Sequence, residues 1–260
     1  MMTRKEFEKT LIASDCVTFW LSKTKEEVSD LLGEDVASMV KFDQRNPHHC
    51  YDLFAHTLHT VENVRKRLLS SSKNSSLLLV AAFFHDIGKV HTTKPKEGRL
   101  VFYGHAKQSA EIARGILQRM EYDSDEMDQI CFYISHHDDF ISYVLPDEDY
   151  NRSNPYLIEI TPENVQKHKN SVESTFCSGC PWRWQEVWFN LIILCYADAD
   201  AQNDKVYSGE KLIDSKEHKI NKIAAIESIF VSMYQSCRLT QYLEETVMGG
   251  ALWERNDNCS

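Results

Sequence analysis

Apolar residues recur at intervals of three and four along most of the chain, which is the spacing of an amphipathic helix. Strand-like alternation is scarce, and only nine glycines and six prolines interrupt the pattern over 260 residues. We therefore predict an all-α protein. The predicted helices cover residues 3–14, 24–41, 51–69, 77–87, 106–121, 124–137, 162–170, 184–201 and 215–235.

Two of these segments, residues 77–87 and 184–201, are apolar on nearly every side. Such helices are typical of the centre of a fold, so we predict that both are buried. Pro47 predicts a helix start, and residues 90–103 are predicted to form a loop or irregular hairpin. Residues 145–181 show no clear period, which predicts an irregular insertion that holds a short helix.

The composition limits the possible functions. The chain has 29 basic and 39 acidic residues, a net charge of −10, so we expect no tight binding of polynucleotides. It has no apolar run near the roughly 18 residues of a membrane helix, and its N-terminus soon turns polar. We expect no membrane association, no signal peptide and a cytoplasmic location. The scattered cysteines, Cys131 and Cys195 among them, favour reduced thiols in a core.

Two short basic stretches leave a choice open. Arg65-Lys66-Arg67 and the stretch from Lys94 to Arg99 each concentrate positive charge. A basic loop beside a site can hold one phosphate group, and a solvated basic loop explains the same residues equally well.

Candidate chemistry is concentrated at polar residues inside apolar segments. His85-Asp86 ends the most apolar segment, where an uncompensated imidazole and carboxylate are costly to bury, and a cation would compensate both. Asp198 lies in another apolar segment, and a buried salt bridge to a lysine or arginine explains it equally well. His49 and His56 share a helix face if one helix runs through both, although a lone histidine on a helix is more often no ligand.

The order His56, His85-Asp86, Asp198 resembles the HD-domain superfamily of metal-dependent phosphohydrolases, whose signature is H…HD…D on a helical bundle. The segments from Pro47 to Leu58 and from Phe84 to Lys89 are similar to the HD domain of many bacterial tRNA nucleotidyltransferases and poly(A) polymerases. The stretch from Tyr103 to Ala110 resembles a further turn and helix of that family. Two long motifs together are specific, whereas the dipeptide alone is not.

The resemblance covers roughly residues 44–235 and implies a single HD-domain helical bundle. We expect a helical extension over residues 1–43, the HD domain over 44–240 with an insertion at about 145–181, and a tail over 241–260. Only about 45 residues precede the resemblance, so we do not expect a nucleotidyltransferase head.

The resemblance also implies roles for individual residues. His56, His85, Asp86 and Asp198 would hold one divalent ion, and their mixed nitrogen and oxygen donors suit Mn²⁺, Fe²⁺, Co²⁺, Ni²⁺ or Mg²⁺. A second ion would be bound by His105 and one of His136 and His137. With a single ion, His105 or His137 would contact the phosphate or protonate the leaving oxygen. Lys89 would neutralise phosphate charge, or be a solvated residue at a helix end.

We therefore expect a hydrolase that cleaves a small phosphomonoester or phosphodiester, most simply a nucleotide, as a 2′,3′-cyclic phosphodiesterase or phosphatase. The alternatives are a nucleotide pyrophosphohydrolase, which should need a more basic pocket, a non-catalytic nucleotide-binding HD module, and a di-iron oxygenase. The oligomeric state is left open. Cys177 and Cys180 form a lone CxxC motif, for which a partly exposed loop is the default and a metal or redox role is the alternative. The cluster of Trp182, Trp184, Trp188 and Phe189 is expected to anchor a loop to the core.

Overall fold

The structure, a computed structural model, describes residues 1–68, 73–148, 153–175, 184–208 and 211–234. Within these residues the fold is helical, and the all-α prediction is confirmed. The longer helices are α1 (Arg4–Ile12), α3 (Lys25–Leu32), α5 (Leu53–Arg67), α6 (Lys73–Phe84), α8 (His105–Arg119), α9 (Ser124–His136), α10 (Pro162–Thr175), α11 (Trp184–Asp200) and α12 (Ser215–Tyr234). The short helices are α2 (Cys16–Leu21), α4 (Glu34–Ala37) and α7 (Lys89–Thr92).

Short strands connect the helices. Strands β1 (Lys94–Lys96) and β2 (Arg99–Val101) form an antiparallel hairpin, which confirms the hairpin alternative for this segment. Strands β3 (Tyr143–Val144) and β4 (Ile158–Glu159) pair in parallel, and β5 (Val206–Ser208) pairs antiparallel with β6 (Lys211–Ile213). A turn of 3-10 helix at Asp139–Ser142 precedes β3.

Local signals explain where several helices begin and end. Thr3, Thr24 and Asp123 each start a helix in a capping box, with a glutamate three residues later that bonds back to the cap. Asp52 caps α5 by accepting a hydrogen bond from the Ala55 amide, so the helix begins at Leu53. The start predicted at Pro47 is therefore wrong.

The predicted helix over residues 24–41 is interrupted. Gly33 has a φ of +97°, a conformation that favours glycine, and it ends α3 where α4 begins. The pattern of apolar residues continues across this break, since Val28, Leu32 and Val36 are all buried. The hydrophobic period thus identified the buried face but not the break in the backbone.

Helix α6 lies at the centre of the fold, as its apolar sequence predicted. It packs against α1, α5, α8, α9 and α11. Phe83 contacts Phe7 of α1 with 5.0 Å between ring centroids and Phe54 of α5 with 6.2 Å. The N-terminal helices thus pack on the same core as the helices around α6, and that core extends as far as Phe230 of α12.

Part of the predicted insertion lies within the described residues. The short helix predicted at 162–170 is α10, which extends to Thr175. The Trp188 indole donates a hydrogen bond to Glu173 of α10, and its ring stacks on Phe230 with 5.1 Å between centroids. Trp188 therefore anchors α10 to the core. The residues Cys177, Cys180, Trp182 and the tail 241–260 lie outside the described residues.

Other expectations concern the membrane and the cysteines. Within the described residues, no helix combines the length and apolar character needed to cross a membrane. Cys131 and Cys195 are buried and form no disulfide. Burial raises the pKa of the Cys131 thiol to about 11, so it is protonated at neutral pH.

Candidate metal centre

Four predicted ligands converge from three elements. His56 lies on α5, His85 and Asp86 lie in the turn that follows α6, and Asp198 lies near the end of α11. His56 Nε2 is 3.0 Å from Asp198 Oδ1 and 3.4 Å from Asp86 Oδ2. His85 Nε2 is 3.2 Å from the same Asp86 oxygen and 3.7 Å from Asp198 Oδ1. All four side chains are buried.

A second group of three side chains shares Asp86. The other carboxylate oxygen of this residue, Oδ1, is 3.2 Å from His105 Nε2 and 3.5 Å from His137 Nε2. The two Nε2 atoms are 3.3 Å apart. His105 is the first residue of α8, and His137 is the C-cap of α9. Asp86 therefore lies between two clusters of ligand atoms.

Backbone carbonyls orient all four histidines. The Nδ1 atoms of His56, His85, His105 and His137 lie 3.2, 2.7, 2.9 and 2.7 Å from the carbonyl oxygens of Ala201, Ala82, Phe102 and Ile134. A carbonyl only accepts, so each Nδ1 carries a proton, and each Nε2 is the atom available to a ligand. This is the arrangement by which proteins orient metal-binding imidazoles.

The residues fit a divalent cation. His56 Nε2, His85 Nε2 and Asp86 Oδ1 are buried polar atoms that have no hydrogen-bond partner of acceptable geometry. Their close spacing matches the roughly 3 Å between neighbouring donor atoms of an octahedral ion with bonds of about 2.1 Å. Nitrogen and carboxylate donors without a thiolate suit Mn²⁺, Fe²⁺, Co²⁺, Ni²⁺ or Mg²⁺.

The electrostatics of the cluster support the same interpretation. Burial lowers the pKa of His85, but the Asp86 and Asp198 carboxylates outweigh burial and raise that pKa to about 10. Burial alone would raise the pKa of Asp86 and of Asp198. Neighbouring cationic side chains nevertheless hold both pKa values well below the usual range. The largest of these lowering effects comes from His85 on Asp86 and from Lys219 on Asp198. Both carboxylates are therefore ionised, which suits them as ligands of a cation.

Each carboxylate is also paired with a lysine. Lys89 Nζ lies 2.7 Å from Asp86 Oδ2 and 3.1 Å from Gln44 Oε1, and only 5% of Lys89 is exposed. The interpretation of Lys89 as a solvated residue is therefore wrong. Lys219 Nζ lies 2.6 Å from Asp198 Oδ2, which is the salt bridge that the sequence left open. The other oxygen, Oδ1, lies beside His56, so both interpretations of Asp198 hold.

Two other predicted histidines do not belong to either cluster of ligand atoms. His136 Nδ1 is 2.6 Å from Asp139 Oδ2, and the same oxygen is 3.0 Å from His168 Nε2. Of the adjacent pair, the structure thus brings His137 to the centre and not His136. His49 precedes α5, so no helix runs through His49 and His56, although their rings are 4.9 Å apart. Burial holds the pKa of His49 well below its usual value.

A pocket of about 500 Å³ opens above the two clusters, a volume suited to a small-molecule ligand. Its floor includes Asp86, His105, His137 and Asp198. Basic side chains that sequence reasoning missed or left open also line it, namely Arg99 of β2 and Lys219 and Lys222 of α12. No local motif marks the two lysines, because they reach the pocket through the packing of α12 on α11.

The basic stretch Arg65-Lys66-Arg67 lies elsewhere and is neutralised within the chain. Arg65 and Lys66 pair with Glu62, and Arg67 Nη2 lies 2.6 Å from Asp200 Oδ2. None of the three lines the pocket. Between the two basic stretches, only Arg99 of the second reaches the pocket wall.

The sequence of this region matches a known family. Residues 53–166 match the family model of the HD domain. This part of the chain is an HD domain. The match contains His56, His85, Asp86, His105 and His137, and it ends before Asp198, which the fold brings to the cluster through α11. HD domains form a superfamily of metal-dependent phosphohydrolases, and the clustered histidines and aspartates agree with metal binding.

Similar curated proteins carry names from tRNA processing. The Multifunctional CCA protein of Actinobacillus pleuropneumoniae serotype 5b is 27% identical over 148 residues, which is 57% of this chain and 30% of that protein. The CC-adding tRNA nucleotidyltransferase of Thermus thermophilus is 31% identical over 107 residues, 40% of this chain and 24% of that protein. The chain spans less than a third of the length of these relatives.

Proposed function

We propose that this HD domain is a metal-dependent phosphohydrolase that cleaves a phosphomonoester or phosphodiester of a small nucleotide. One observation carries the proposal. Two clusters of ligand atoms, His56, His85, Asp86 and Asp198 on one side and Asp86, His105 and His137 on the other, share one carboxylate at the floor of a pocket of about 500 Å³. A divalent ion bound there supplies the positive charge that polarises a phosphoryl oxygen and activates water.

Charge balance favours an anionic substrate. The Asp86 and Asp198 carboxylates are each paired with one lysine, at 2.7 and 2.6 Å. These two pairs are neutral together, so any divalent cation held by the cluster makes the centre net positive. A phosphate ester brings the matching negative charge, and the short pairs keep both carboxylates ionised to hold the cation.

His105 and His137 are the side chains placed to assist the reaction. Each imidazole binds a backbone carbonyl through Nδ1 and presents Nε2 to the pocket floor. A neutral ring of this tautomer can only accept at Nε2, and an imidazolium can donate a proton to a leaving oxygen. Asp138 Oδ2 lies 4.0 Å from His105 Nε2.

A nucleotide pyrophosphohydrolase is the second candidate, because the pocket is more basic than the sequence indicated. Lys89, Arg99, Lys219 and Lys222 line it, although the whole chain carries a net charge of −10. A substrate with several adjacent phosphates would suit such a wall.

The test is hydrolysis by the purified protein after EDTA treatment and addition of Mn²⁺, Co²⁺, Ni²⁺ or Mg²⁺ singly. The substrates are adenosine 3′-monophosphate, adenosine 2′,3′-cyclic phosphate and ATP, with released phosphate or pyrophosphate measured. We expect activity only with added metal, and its loss in His56→Ala. His59→Ala is the matched control, because His59 lies on the same helix but stacks on Tyr51 with 4.3 Å between rings. Metal-independent hydrolysis, or equal activity in both variants, would contradict the proposal.

A further inference from the structure

Two basic side chains on the pocket wall are not used by the candidate metal centre. Lys89 and Lys219 are each committed to a carboxylate of the cluster. Arg99 and Lys222 also line the pocket, and among the described residues neither has a carboxylate oxygen within 4.0 Å of its charged nitrogen atoms. Of the four lysine and arginine side chains that line the pocket, Arg99 and Lys222 are thus the two whose charge is available to bind an anionic ligand.

The environment of Lys222 favours an anion. Its ammonium group is 3.2 Å from the Ile141 carbonyl oxygen of the 3-10 turn, and the side chain is half-buried. Burial lowers the pKa of Lys222, against the weaker opposing effects of Glu148 and Asp138. An ammonium group that has lost part of its hydration without gaining a carboxylate is stabilised when an anion arrives.

Arg99 has a different structural origin and a complementary chemistry. It lies on β2, where its backbone pairs with Lys96, and its side chain is exposed at the pocket rim. The guanidinium group offers a planar set of donors that suits two oxygens of one phosphate. Arg114 and Lys216, two other basic residues of the described chain, are by contrast paired with aspartates at 2.7 and 2.6 Å.

We infer that Arg99 and Lys222 form a second anion subsite, which binds a phosphate of the substrate other than the one that is cleaved. The inference rests on the proposed function for the cleaved phosphate and narrows the substrate class to small nucleotides that carry two separate phosphoryl groups. The charge of the pocket agrees, since four basic side chains face the three carboxylates of Asp86, Asp138 and Asp198, and a divalent cation adds two more positive charges.

The experiment measures binding by calorimetry to metal-free protein in EDTA, so that no turnover interferes. The probes are adenosine 3′,5′-bisphosphate and adenosine 3′-monophosphate. We expect the bisphosphate to bind about ten- to hundredfold more tightly, the range of one or two charge-assisted contacts. Arg99→Gln and Lys222→Gln should each reduce the ratio of the two affinities about tenfold, or until no difference is detectable. The double variant should bind both nucleotides equally.

Matched controls come from the hairpin that carries Arg99 and from the helix that carries Lys222. Lys96→Gln replaces the neighbour of Arg99 in the hairpin, and Lys216→Gln replaces a lysine of α12 that pairs with Asp204. Neither lines the pocket, so both should keep the preference of the unmodified protein. Circular dichroism and thermal unfolding confirm that each variant is folded.

Three outcomes would overturn the inference: equal affinity of the unmodified protein for the two nucleotides, no binding of either, or an unchanged preference in the double variant. Tighter binding of a 3′-phosphorylated trinucleotide than of the bisphosphate would keep the subsite but overturn its assignment to a free nucleotide. Phosphate release from adenosine 3′,5′-bisphosphate with added Mn²⁺ is measured on the same preparation. That measurement reports on the proposed function separately, because binding in EDTA does not depend on turnover.

Discussion

The substitution Gly88→Ala tests whether close packing of Gly88 against α8 sets the geometry of the candidate metal centre. A Cβ atom at Gly88 would lie 2.5 Å from the His105 carbonyl oxygen, 2.5 Å from the Ser109 amide nitrogen and 2.9 Å from Ser109 Oγ. The Gly88 amide also donates a 2.8 Å hydrogen bond to that hydroxyl. The glycine thus allows the turn that carries His85 and Asp86 to approach the first turn of α8.

The cost of Gly88→Ala follows from these distances. The φ of Gly88 is −70°, which alanine adopts without strain, so the penalty is steric. The obstructing atoms are mostly backbone and cannot rotate away, which suggests about 3 kcal/mol, the upper end of overpacking penalties. Alanine recovers somewhat under 1 kcal/mol by restricting the unfolded chain. The net loss of about 2 kcal/mol corresponds to a fall in Tm of roughly 4–8 °C for a chain of this size.

The assay combines thermal unfolding with calorimetric titration of Mn²⁺. Displacement of α8 lengthens the 3.2 Å separation between His105 Nε2 and Asp86 Oδ1, so binding at this second cluster should weaken more than binding at His56 and His85. Gly115→Ala, also on α8, is the control, because its Cβ would meet nothing closer than 3.8 Å. It should stabilise the protein by up to about 1 kcal/mol. If Gly88→Ala has the Tm and Mn²⁺ affinity of the unmodified protein, this packing argument is refuted.

The remaining predictions concern ion number, pH and polynucleotides. His105→Ala and His137→Ala should each leave one tightly bound ion by elemental analysis but reduce turnover by roughly 100-fold or more, as loss of an acid–base group does; complete loss of metal would place them in the primary cluster. Because the pKa of His85 is raised to about 10, an ion must displace its proton below that pH, so apparent Mn²⁺ affinity should rise with pH, by about tenfold per unit between pH 7 and 9. Calorimetry in buffers of different ionisation enthalpy should show about one proton released per ion, and a pH-independent affinity would refute this. Filter binding should detect only weak capture of transfer RNA at physiological salt, since the net charge is −10, and tight, salt-sensitive capture would contradict the small-nucleotide proposal.

The sequence predicted the helices best where the hydrophobic period was strong and a cap was clear. The helix predicted at 124–137 is α9, Ser124–His136, which begins after a capping box at Asp123. The break at Gly33 was missed because apolar periodicity reports which face is buried and not a single φ angle. The helix start was predicted at Pro47, whereas α5 begins at Leu53. Both Pro47 and Asp52 are residues that favour a helix N-terminus, and the side chain of Asp52 is the one that caps the helix.

The candidate centre was predictable where its residues belong to local motifs. His56 and His85-Asp86 lie in motif segments, and Asp198 was noticeable as an acid within an apolar helix. The sequence could not show whether His136 or His137 lies at the metal centre. The answer depends on which of these two adjacent side chains pairs with Asp139, and in the structure it is His136. The roles of Lys219 and Lys222 depend on the long-range packing of α12 against α11, for which one sequence holds no local signal.

The most direct test of the central claim is the metal content and activity of Asp86→Asn beside the unmodified protein. The asparagine would keep the volume of the side chain but remove the charge that both clusters share. We expect the unmodified protein to bind one or two Mn²⁺ ions per chain and to hydrolyse phosphate esters, and Asp86→Asn to lose both properties while its circular dichroism stays helical. A folded Asp86→Asn protein that retains bound metal and full hydrolysis would contradict the account.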